Sequence, residues 1–94
     1  LTLYYADPSY KICSIFYLQG KLYEAIVYYQ QAINLNPNFP KAHNNLGVVL
    51  SLQGKFDEAA EHFRQALRLK PDYTEARDNL EKALHTQVNP HQSP

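Results

Sequence analysis

Tryptophan and methionine are absent from this 94-residue chain, which holds one cysteine and three glycines. Net charge is absent too, because nine Lys and Arg are matched by nine Asp and Glu. Each shortage excludes something. The single cysteine, Cys13, has no partner for an internal disulfide, and no Cys/His cluster has zinc-ligand spacing. A reducing compartment, the cytoplasm, is therefore expected, with no metal and no cofactor. Balanced charge leaves no long-range field to draw in nucleic acid or an anionic membrane, so neither is expected as a partner. No apolar run approaches the roughly 18 residues that cross a bilayer, and Leu1-Thr2-Leu3-Tyr4-Tyr5 lacks the charged start and apolar core of a signal peptide. A chain without an initiating methionine is expected to be a piece of a longer one.

What is present is an internal repeat. A shift of 34 residues lays Leu18-Gln19-Gly20-Lys21 on Leu52-Gln53-Gly54-Lys55, Glu24-Ala25 on Glu58-Ala59, Gln31-Ala32 on Gln65-Ala66, Leu35 on Leu69 and Pro37 on Pro71. The same shift carries Ala42, Asn45, Leu46 and Leu50 onto Ala76, Asn79, Leu80 and Leu84, so a third unit starts where the second ends.

Within a unit the apolar residues recur every three or four positions, as in Ala42, Leu46, Val49 and Leu50, and again in Ala59, Ala60, Phe63, Ala66 and Leu67. That is the helical period, and it places two helices in each unit. Glycine adopts the left-handed conformation of a helix C-terminus without steric cost, so Gly20 and Gly54 are read as stops. Pro37 and Pro71 close the second helix of each pair. The pattern predicts helices over 8–19, 22–35, 40–53, 56–69 and 74–86, followed by a disordered polar tail over 87–94.

Asn45-Leu46-Gly47, Leu50, Gly54, Ala59, Phe63, Ala66 and Pro71 resemble the tetratricopeptide repeat pattern almost residue for residue. The resemblance covers 40–73 as a full unit, 6–39 as a more divergent one, and 74–86 as the first helix of a third. Two departures stand out: His43 where the family usually has a bulky residue, often Trp, and Cys13 where it has glycine. The resemblance implies an all-α fold, a right-handed superhelical solenoid of antiparallel helix pairs, forming one domain over 1–86. It also implies a protein–protein interaction module, with no enzymatic activity, that binds a peptide or protein partner on its concave face.

The two ends of the array differ. Over 74–86, Arg77, Asp78, Glu81, Lys82 and His85 alternate with Ala76, Leu80, Ala83 and Leu84, which describes a polar capping helix. The N-terminal half carries Tyr4, Tyr5, Tyr10, Tyr17, Tyr23, Tyr28 and Tyr29. Such a face is uncovered either because an upstream repeat is missing or because it pairs with another copy, making a homo-oligomer. The second choice makes the chain a structural assembly module; a further alternative is the targeting arm of a larger enzyme.

The first helix of each pair lines the concave side, which puts Asp7, Tyr10, Lys11, Ser14 and Tyr17, then Lys41, Asn44, Asn45, Val48 and Ser51, then Glu75, Asp78, Asn79 and Lys82 on the binding surface. The candidate peptide contacts are Tyr10, Lys11, Ser14, Tyr17, Lys41, Asn44, Asn45, Val48, Asn79 and Lys82. Asn45 and Asn79 fall one repeat apart, and a side-chain amide both donates to and accepts from an extended main chain. In the arrays of O-GlcNAc transferases, which this pattern also resembles, asparagines at the matching places form a ladder along a peptide; Lys11 stands at the third place. A carboxylate clamp like that of chaperone adaptors is rejected, because only Asn45 matches while Tyr10, Ser14, Glu75 and Asn79 fill the other places. His43, His62, His85 and His91 are scattered, with no i,i+4 pair for zinc, and nothing near Cys13 lowers its pKa towards a nucleophile.

Overall fold

A computed structural model of the chain describes residues 8–92, with side chains over 18–86. Among the described residues it is an all-α helical repeat solenoid of four helices: α1 (Pro8–Leu35), α2 (Pro40–Leu52), α3 (Phe56–Leu69) and α4 (Thr74–Gln92). Consecutive helices pack on one another, while α2 and α4 barely touch and leave a groove between them.

Helices α2 and α3 form the closed pair that the repeat predicts. Pro40 opens α2, where a missing amide proton costs nothing. Gly54 ends it at φ +82. The Gly54 amide donates to the Ser51 carbonyl at 2.9 Å and the Lys55 amide to the Leu50 carbonyl at 2.9 Å, which together make a Schellman cap. Asp57 and Glu58 sit in the first turn of α3 and Arg68 in its last, each complementing the helix dipole.

The pair closes around one aromatic ring. Phe63, Leu46, Ala59, Ala60 and Ala66 are all at most 1% exposed. Gly47 lies against the Phe63 ring so closely that a Cβ there would stand 2.5 Å from Cε1. Ile26 from α1 and Ala83 from α4 join the same core, with Leu22, Ala25, Tyr29 and Ile33 packed on one side and Leu80 and Leu84 on the other. On α4, Asp78, Glu81 and His85 are exposed.

Two boundaries depart from expectation. Gly20 does not stop a helix: α1 runs unbroken from Pro8 to Leu35, so the predicted pair 8–19 and 22–35 is one 28-residue helix. Glycine disfavours a helix interior by only about 1 kcal/mol, and no proline stands near it to force a stop, as Pro37 does after Leu35. At the other end α4 continues to Gln92, through most of the tail expected to be disordered. Pro90 lies within its last turn.

The straight α1 makes the molecule long. Its radius of gyration is 16.1 Å, against roughly 12 Å for a compact domain of this length. Among the described residues no helix is long and apolar enough to cross a membrane.

Candidate functional site

The groove between α2 and α4 encloses about 150 Å³. Val48, Ser51 and Leu52 form one wall, Asn79, Lys82, Ala83 and Thr86 the other, and Phe56 and Phe63 of α3 the floor. Its chemistry follows from helical spacing. The stripe Ala42, Leu46, Val49 and Leu50 is buried, whereas Val48 and Leu52, four residues apart on another face, remain 37% and 67% exposed. An apolar wall is thus held open beside two hydroxyls, an amide and an ammonium group, a combination suited to an extended peptide with an apolar side chain and free carbonyls.

A second groove, of about 310 Å³, lies between α1 and the start of α2, where Tyr28, Tyr29 and Ala32 face Phe39, Lys41, Ala42 and Asn45. Asn45 therefore belongs to this groove and Asn79 to the other. They keep the one-repeat spacing of a ladder, and Lys41 and Lys82 are exposed beside them. The side chains of Tyr10, Lys11, Ser14 and Tyr17 lie outside the described residues, as does Asp7.

Asn44 corrects the sequence reading. It is 1% exposed, not a surface contact. Its Nδ2 donates to Glu75 Oε1 at 3.2 Å, and its Oδ1 accepts from Asn79 Nδ2 at 3.1 Å. A polar group this deep must be bonded, and these partners tie the second unit to the third. Asn79 in turn keeps only part of its amide for a ligand. Burial, and then the Glu75 carboxylate, push the Tyr73 hydroxyl beside this network above its usual 10.0. Leu52 and Thr86, by contrast, line the groove and were missed in the sequence. The available signal was the repeated Leu18/Leu52, apolar yet off the buried stripe.

The histidines do meet in one place. His43 Nδ1 and His62 Nδ1 lie 3.3 Å apart, and His43 Nε2 is 3.2 Å from the Pro37 carbonyl. A carbonyl only accepts, so neutral His43 carries its proton on Nε2 and accepts at Nδ1 from His62. The pair bonds α2 both to α3 and to the turn before it. Among the described residues no group of three His, Cys, Asp or Glu could hold a metal ion. Burial holds His62 below its ordinary 6.5, and His43 lowers it further, against smaller opposing effects of Glu58 and Glu61. A depressed histidine pKa means that the unfolded chain binds the proton more readily. Stability is therefore full above about pH 6.5 and falls as pH drops from there towards the lowered folded value. Urea midpoints at pH 7.5, 6.5 and 5.5 should show this decline, and H62Q should flatten it.

Two family models match the chain, one described as TPR repeat over residues 14–54 and one as Tetratricopeptide repeat over residues 40–73. No curated protein matches closely enough to count as a relative. The matched span takes in Gly47, Phe63, the Gly54 cap and both walls of the α2–α3 pair. The chain belongs to the tetratricopeptide repeat family, whose members generally mediate protein–protein interaction.

Proposed function

We propose that this chain is a non-catalytic binding module that takes an extended segment of a partner protein across the groove between α2 and α4. The observation that supports it is the exposed pair Val48 and Leu52, 37% and 67% open to solvent, walled in by Asn79, Lys82 and Thr86. An apolar side chain of the partner seats on Leu52, and Lys82 reaches a main-chain carbonyl or an acidic side chain. Each such hydrogen bond contributes about 0.5–1.5 kcal/mol net, so binding is modest and reversible.

The test is a peptide library screened against the wild-type chain and against L52S with K82A. Both residues are exposed, so the melting temperature should stay within a few degrees. Retained hits should lose at least tenfold in affinity, about 1.4 kcal/mol. Equal affinity for both proteins would remove the groove from the account.

A further inference from the structure

The second unit shows what fills the counterpart of the first unit's groove. Thirty-four residues after Ala25, Tyr29 and Ala32 stand Ala59, Phe63 and Ala66. The later three are at most 1% exposed, since α2 lies across them. The earlier three are only half-buried, and Tyr28 beside them is 67% exposed. What α2 is to the second unit, residues 8–18 are to the first: Ile12, Ile15 and Phe16 stand 34 positions before Leu46, Val49 and Leu50. In the chain that segment continues straight out of α1 and does not return.

We propose that residues 8–19 of one copy fill the first-unit groove of a second copy, and reciprocally, so that the chain forms a dimer by helix exchange. A straight α1 carries this segment roughly 18 Å beyond Gly20, at 1.5 Å per residue, out of reach of its own groove and available to another. Exchange closes both grooves with one two-fold operation and leaves no open end, as a symmetric dimer requires. Leu18-Gln19-Gly20-Lys21 is the hinge: the identical Leu52-Gln53-Gly54-Lys55 forms a Schellman turn, and here the same four residues are helix. This proposal is independent of peptide binding between α2 and α4.

Cys13 supplies the test. With Tyr29→Cys, the exchanged dimer places the new thiol beside the partner's Cys13, and a short thiol cross-linker should give a species of twice 10.9 kDa. Cys13 with Tyr23→Cys, on a face that exchange leaves open, should not. A cross-link within one chain, or none, overturns exchange, as does equal dimer from both variants. Gly20→Ala is the second arm: a Cβ there meets nothing within 4 Å, favours the straight helix and disfavours the left-handed turn. Sedimentation across concentrations should show a dimer at least tenfold tighter than wild type. A weaker dimer, or a monomer throughout, contradicts the proposal.

Discussion

Phe63→Ala is expected to cost about 3–5 kcal/mol, the usual range for an aromatic ring removed from a closed core. The ring is 1% exposed, is held by Gly47 from α2, and shares a core with Leu46, Ala59 and Ala60. Backbones on both sides are fixed by helical hydrogen bonding, so the site collapses little and the cavity persists. A domain of this size has roughly 5–15 kcal/mol in total. With each kcal/mol shifting the midpoint by about 4–8 °C, a thermal melt should fall by more than about 12 °C. A change under a few degrees would mean that the α2–α3 pair is not the centre of the fold.

Gly47→Ala tests the same contact from the other side, and its sign is informative. In an exposed helix, replacing glycine by alanine stabilises by about 1 kcal/mol. Here the new Cβ stands 2.5–2.8 Å from three carbons of a ring that has nowhere to go. Overpacking of this kind costs about 1–3 kcal/mol, which cancels or outweighs that gain, so a net loss of up to about 2 kcal/mol is expected. Gly20→Ala, which meets nothing, should move stability the other way. Combining Gly47→Ala with Phe63→Leu should recover part of the loss of the two single changes, and strict additivity in urea unfolding would deny the contact.

The helices of the second unit were legible because their signals are local and repeated. Helical spacing, Gly54 and Pro71 each act within one turn of where they stand. The first unit shows the limit of that logic. Residues 18–21 and 52–55 are identical, yet one set is helix and the other a cap, because the turn is stabilised by what packs across it and not by its own sequence. Asn44 fails for a related reason. Its helical position reads as solvent-facing, and only the arrival of α4, with Glu75 and Asn79 from 31 and 35 residues away, buries and bonds it. Leu52 was overlooked because one exposed leucine has no weight until a second helix stands opposite to make a wall.

These features assign different work to different faces. The Asn44 bridge ties α2 to α4, the two helices that wall the groove. A loss at Asn44 should therefore weaken ligand binding as well as stability, since Glu75 and Asn79 would lose their buried partner.

The most direct test of the binding account is an amide and methyl NMR titration of the chain with a peptide retained from the library. Perturbations should concentrate on Val48, Ser51, Leu52, Asn79, Lys82 and Thr86, with Glu61, Arg64 and Arg68 on the outer face of α3 unmoved. Shifts gathered on α3 instead, with Leu52 and Val48 silent, would contradict it.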